Sequence, residues 1–212
     1  NIFYITPSRT ALVTIPILLL LLAFLWFSWR GIVGSVALAS IVALALWYTS
    51  SSLQRRVAMV PQEILTFDPQ GTPTSSGERI EFWRKSIAFI ADAPIIGHGT
   101  GSILDQFRRS VAGQTGIAAE VAANPHNQIF AMMIQFGLVG AVLLLAMWAA
   151  HLLLFRCAGW PATIGLMVVV QNIVGSLFNS HLFDFVEGWI YVWGVGVVGG
   201  MVLQRKKQPE SG

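Results

Sequence analysis

The sequence predicts an all-α fold, a polytopic bundle of transmembrane helices carrying one large segment outside the membrane. Three observations lead there. Apolar residues make up 55% of the 212 and charged residues only 11%, against the ~25% charged that soluble domains carry. Mean hydropathy is +0.67. The apolar residues gather into five runs, 10–28, 31–48, 137–155, 161–181 and 186–203, each at or near the ~20 residues that a spanning helix needs.

Residues 1–48 hold the first two spans, with Trp26, Trp29, Trp47 and Tyr48 at their ends, where amphipathic rings anchor at the headgroups. Gly31 and Pro161 punctuate tight turns. Residues 49–125 form the extramembrane segment. It opens with "SSLQRR" and runs through "FDPQGTPTSSGE", a composition of irregular loop. A helix is expected from Arg79 to about Ala91, with Pro94 just beyond its end. On it Ile80, Trp83, Ile87 and Ala91 share an apolar stripe, and Glu81 and Lys85 make an i,i+4 pair on the opposite face. Arg84 falls inside the stripe and Arg79 at its edge. Two readings fit them. They snorkel from an interfacial helix, or they aim guanidinium groups at an anionic headgroup.

"GHGTGS" follows at 97–102, before a helix expected from Ser102 with Asp105 completing a capping box. Such glycines form either an anion-binding nest or a plain capped turn with His98 exposed. At 124–126, Asn124 suits an N-cap and Pro125 the first helical position. His126 is then expected on the first turn, where a helix start favours anions and keeps an imidazole neutral and able to accept a proton. The bland alternative is an interfacial histidine facing headgroups. Residues 126–203 contain three more spans and 204–212 a basic tail. His151 reads as a span-end residue, while His181 with Asp184 and Glu187 forms a weaker secondary polar site.

Orientation follows from the short loops. Arg30, Arg156, Arg205, Lys206 and Lys207 fall on one side with Glu210 as its acid, and the other side holds the remaining eight basic and nine acidic residues. The positive-inside rule makes the first side cytoplasmic. Residues 49–125 and His126 are then expected in the periplasm of a bacterial inner membrane. ATP is absent there, so chemistry must use an already activated substrate.

Some classes are excluded. One cysteine, Cys157, allows no intrachain disulfide framework and no cysteine-rich zinc site. No HExxH, GxSxG or P-loop motif occurs, and no metal-ligand cluster or cofactor motif is visible. The net charge of +3 is scattered between apolar runs, which argues for membrane topology and against nucleic acid. The chain starts at Asn1 with an apolar run close behind and no basic n-region. It reads as a C-terminal part, with further spans upstream.

"GERIEFW…ADAPIIGHGTGS" followed by "NPHNQIFAMMIQFGLVG" resembles the O-antigen ligase and polymerase superfamily of bacterial inner membranes, most of all O-antigen ligase. The matching residues are Arg79 and Trp83, Pro94 with Gly97 and Gly99, His126 with Asn127, and Gly137. "PSRTAL" adds Arg9 as the family's outward arginine. His98 departs from the small apolar residue expected there. The resemblance implies a glycosyltransferase that moves O-antigen glycan from an undecaprenyl-diphosphate carrier to lipid A–core. Arg79, Arg9 and Arg84 would bind the diphosphate, His126 would be the general base, and Asn127 and Asn124 would support it. The absence of a carboxylate dyad or metal cluster suggests a metal-independent, inverting transfer. The alternatives are an O-antigen polymerase or a protein O-oligosaccharyltransferase of the same superfamily. A lipid-linked sugar transporter is a further alternative, disfavoured by spans expected to be continuous.

Overall fold

The structure is a computed structural model that describes residues 9–157 and 159–207, and for Arg9, Arg56, Lys206 and Lys207 the backbone alone. The described residues are helical, without strands. They form α1 (Arg9–Trp26), α2 (Trp29–Thr49), α3 (Ser51–Leu65), α4 (Ser75–Asp92), α5 (Ser102–Ser110), a short 3-10 helix (Gly116–Ala119), α6 (Gln128–Leu154), α7 (Trp160–Ser176) and α8 (Phe185–Lys207). Three of them are long and apolar enough to cross a membrane: α2, α6 and residues Phe185–Arg205 of α8. α1 and α7 are apolar but shorter, at 18 and 17 residues. At 1.5 Å per residue each spans roughly 25–27 Å of a ~30 Å hydrocarbon core.

The chain divides into two compact units. One comprises residues 1–55, 148–175 and 182–212. Within it α2 has no buried residue. A helix that is apolar all round and exposed is what a lipid solvent selects. The Trp26 indole stacks on Trp160, centroids 4.2 Å apart, and donates to Thr163 Oγ1 at 3.0 Å. Buried Trp148 donates to Asn172 Oδ1 at 3.1 Å, and His151 Nδ1 meets the Tyr191 hydroxyl at 2.6 Å. Small residues allow close helix packing here. A Cβ on Gly165 would sit 2.4 Å from the Phe155 ring.

The other unit comprises residues 56–147 and 176–181. Its core is Phe82, Phe89, Ile103, Phe107, Ala122, Ala131 and Ile134. The Phe82 and Phe89 rings both meet Phe107 edge to face, the arrangement that ring quadrupoles favour.

Several sequence expectations change. "SSLQRR" lies in helix α3, not in irregular loop. α4 starts earlier than Arg79, because Thr74 Oγ1 accepts from Gly77 N at 3.1 Å and caps it. The face of α4 opposite the apolar stripe is the one that packs inward. Glu81 and Lys85 are buried, while Ile87 is exposed. The polar side points inward because its charges satisfy one another. Arg84 donates to both Glu81 oxygens, at 2.6 and 2.8 Å, and Lys85 Nζ donates to Ala118 O at 2.6 Å. Burial pushes the Lys85 ammonium below its ordinary value, with Glu81 opposing that shift.

The break in α6 is the other departure. The span expected at 137–155 is continuous with residues 128–136 in one helix, but Gly137 breaks it at φ 60°, ψ −149°. The Pro94–Gly99 turn fills the break. Leu138 N donates to Pro94 O at 2.8 Å and Val139 N to Ile95 O at 3.3 Å, while His98 N and Gly99 N donate to Ile134 O and Gln135 O at 2.8 and 2.9 Å. Two backbones touch there. A Cβ on Gly137 would lie 2.3 Å from Ile95 C, and one on Gly97 2.4 Å from Gln135 C. Since the turn satisfies these amides and carbonyls, the break offers no free dipole ends of the kind that bind a transported substrate.

Candidate functional site

The same interlock disposes of the glycine turn as an anion nest. Gly97, Gly99 and Gly101 all have positive φ. Their N–H groups, however, are taken: His98 N and Gly99 N donate to α6 carbonyls, Gly97 N to Ala93 O at 3.1 Å, and Gly101 N to Gln135 Oε1 at 2.7 Å. The capping box also fails. Gly101 is the N-cap of α5, no side chain caps it, and Asp105 lies 3.8 Å from Arg108. His98 is partly buried, not exposed, with Nε2 2.7 Å from Phe89 O. A ring N–H there serves one of the last carbonyls of α4, which have no partner inside the helix.

The region around His126 is built differently from the sequence expectation. α6 begins at Gln128, and Asn127 is its cap. Asn127 Oδ1 accepts from Ile129 N at 2.9 Å and Phe130 N at 3.1 Å. Asn124 is not the cap. Its Oδ1 accepts from His126 N at 2.8 Å, two residues on, in the local turn that asparagine favours. His126 therefore precedes the helix, and the free-amide argument for its neutrality does not apply. It adopts φ 54°, the one positive φ outside glycine among the described residues. Such a conformation persists only where its surroundings over-determine it, and it concentrates at functional sites.

The surroundings are visible. The Phe82 ring of α4 stacks on the imidazole, centroids 6.1 Å apart at 17°. From the other side comes the segment 176–181. Asn127 Nδ2 donates to Leu177 O at 3.2 Å, Asn124 Nδ2 donates to Asn179 Oδ1 at 3.1 Å, and His126 Nδ1 lies 3.0 Å from that same Asn179 Oδ1. This chain of contacts assigns every atom. The His126 backbone N–H can only donate, so the Asn124 atom facing it is oxygen. The Asn124 nitrogen therefore faces Asn179, whose facing atom must accept and is oxygen. His126 Nδ1 must then carry the hydrogen, which leaves the lone pair of the neutral ring on Nε2.

The arginines divide. Arg79 is half-buried on α4, one turn before Phe82, which carries it toward the imidazole end of that helix. Arg84 is 63% exposed, but its fork holds buried Glu81. The hydrogen bond to Glu81 raises its already high pKa. The side chain of Arg9 lies outside the described residues. His181 is buried, two residues past Asn179, with its Nδ1 meeting no hydrogen-bond partner. Asp184 and Glu187 belong to the other unit. Among the described residues no three His, Cys, Asp or Glu side chains gather as a metal site would require.

Sequence reasoning missed Asn179 altogether. It sat inside a run taken as a span to 181, whereas α7 ends at Ser176. The signal was the polar cluster "NSH" at the end of that run.

A family model described as O-antigen ligase matches residues 1–145. Arg79, Pro94, Gly97, Gly99, His126 and Gly137 lie within that match, and Asn179 lies beyond it. The chain is also similar to an uncharacterized protein of Haemophilus influenzae (strain ATCC 51907 / DSM 11121 / KW20 / Rd), 23% identical over 148 residues. That similarity covers 66% of this chain and 37% of the relative.

Proposed function

Because this chain belongs to the O-antigen ligase family, we propose that it is part of a glycosyltransferase that moves O-antigen glycan from undecaprenyl diphosphate to lipid A–core at the periplasmic face of the inner membrane. The observation that carries the reading is His126, held in a strained backbone conformation with Nδ1 on Asn179 and the lone pair on Nε2. An acceptor hydroxyl is a poor nucleophile until a base takes its proton. In the proposed step its oxygen bonds to the anomeric carbon as the carbon–oxygen bond to the diphosphate breaks. The bond's electron pair leaves on phosphate oxygen, and the hydroxyl proton goes to His126 Nε2. Attack opposite the leaving group inverts the anomeric centre.

The carrier keeps both phosphates, so the charge to be stabilised is spread over their oxygens. Arginine does this without protonating them. Arg79 is the first candidate, and Arg9 is proposed on the family resemblance alone. Arg84 joins only through N–H groups not taken by Glu81. Asn124 supports the histidine through its bond to the His126 N–H, and Asn127, the next residue along, caps α6 and donates to Leu177 O. The proposed orientation rests on the basic short loops. It is compatible with the Arg205 guanidinium reaching Gly159, close to Arg156.

The test uses the purified full-length protein with undecaprenyl-diphosphate-linked glycan, without nucleotide and with chelator. Lipid A–core, free O-antigen repeat units on the same carrier, and an acceptor protein are offered separately. Glycan transfer to lipid A–core, lost in His126→Ala, is the expected result. Transfer to another acceptor alone would replace the ligase assignment, and a requirement for nucleotide or metal would overturn the mechanism.

A further inference from the structure

We propose that Asn179 is the positioning residue that holds His126 in its Nδ1–H form and so presents Nε2 to the acceptor. The inference rests on the reading of His126 as the base. It extends that reading to a residue outside the family match, in a segment the sequence pattern assigned to a span.

Two facts carry it. Asn179 Oδ1 is the meeting point of two donors, Asn124 Nδ2 at 3.1 Å and His126 Nδ1 at 3.0 Å. Asn124 is in turn fixed by the His126 backbone N–H at 2.8 Å. The result is a closed circuit in which the histidine's own backbone, held at φ 54°, sets the amide that sets its ring. A neutral imidazole in water exchanges its proton between two nitrogens, and the bond made at one nitrogen decides the other. Here Nδ1 is committed, so base chemistry is left to Nε2. The amide oxygen also accepts from the imidazolium that forms on proton transfer, more strongly once the donor is charged, so the ring need not turn during the reaction.

On α4, Phe82 covers the ring, with Glu78 and Arg79 one turn away along the helix, and buried His181 follows Asn179 by two residues. Each is unchanged in the substitutions below.

The test reads the tautomer apart from activity. The full-length protein is labelled with 15N-histidine in detergent, and the His126 resonances are identified by their loss in His126→Gln. The native ring should show a protonated Nδ1 and an unprotonated Nε2 at alkaline pH. Asn179→Ala should populate the Nε2–H form and lower kcat by roughly 10- to 100-fold with the donor KM unchanged, the scale for partners that orient a reactive imidazole. Asn179→Asp keeps the shape and the acceptor, so it covers the case in which the alanine variant does not fold. It should keep the Nδ1–H form and hold kcat closer to native than Asn179→Ala does, because a carboxylate oxygen still accepts from Nδ1. A native ring protonated at Nε2 would overturn the proposal. So would an unchanged tautomer and kcat in Asn179→Ala, or loss of the Nδ1–H form in Asn179→Asp. An active His126→Ala would instead remove the base reading, and the tautomer result would then stand or fall alone.

Discussion

Replacing Gly137 by alanine tests the interlock between the Pro94–Gly99 turn and α6. Alanine at φ 60°, ψ −149°, a region essentially reserved for glycine, costs at least the roughly 1–2 kcal/mol of an ordinary left-handed residue for the backbone alone. Its Cβ would lie 2.3–2.6 Å from Ile95 C, Ile95 O and Ile96 N, all backbone atoms that no rotamer change can move aside. Restoring ordinary contact requires the two strands of chain to part by roughly 1 Å. That breaks the bonds from Leu138 N to Pro94 O and from Val139 N to Ile95 O, and losing two such bonds costs about 2–4 kcal/mol. The whole substitution should cost about 3–6 kcal/mol. Gly113 supplies the control, with φ 74° and nothing within 4 Å of its Cβ position. Gly113→Ala carries the backbone strain without the close approach. In hydrogen exchange on the detergent-solubilised protein, the amides of His98, Gly99, Leu138 and Val139 should exchange roughly 30- to 1,000-fold faster in Gly137→Ala than in Gly113→Ala, at 1.4 kcal/mol per tenfold. Equal protection in the two variants would refute the claim that backbone contact holds the turn in place.

Other outcomes are expected from the same geometry. Cysteine at exposed Ser75, in a Cys157→Ser background, should react with a membrane-impermeant thiol reagent in intact spheroplasts, and labelling only after lysis would reverse the proposed orientation. Arg84→Ala leaves buried Glu81 without its fork and should cost about 1–3 kcal/mol of stability in thermal unfolding, the value reduced by the exposure of the arginine end. Arg79→Ala should raise the donor KM, and Arg79→Lys should not restore it because the fork is lost; an unchanged KM would remove Arg79 from the diphosphate site. His126→Ala should lower kcat by about 10²- to 10⁴-fold with donor binding retained. Loss of donor binding instead would make His126 a phosphate ligand.

The helical class was legible because a chain with repeated apolar runs of span length has few other ways to satisfy its backbone than as membrane helices. His126 was legible as a polar residue where chain meets membrane, and Gly97, Gly99 and Gly137 as a pattern. Their physical reason was not, since it lies in two backbones touching across a long sequence separation. The burial of Glu81 and Lys85 escaped because a charged i,i+4 pair ordinarily faces solvent, and the carbonyl that receives Lys85 belongs to Ala118, 33 positions away. The cap of α6 was placed three residues early because Asn124 and Asn127 have the same side chain. Only the bonds of Asn127 to Ile129 and Phe130 tell them apart. Asn179 escaped because it meets His126 from 53 positions away.

The turn seated in the α6 break also sets an order of manufacture. A ribosome delivers Pro94–Gly99 well before Ile134–Val139, so the turn emerges with its amides and carbonyls facing water and no counterpart to receive them. α4 and α5 can form locally, but the unit that holds His126 cannot close until the start of α6 has left the translocation machinery. A chain halted between His126 and Val139 would have made Arg79, Arg84 and His126 without the contacts that seat the turn.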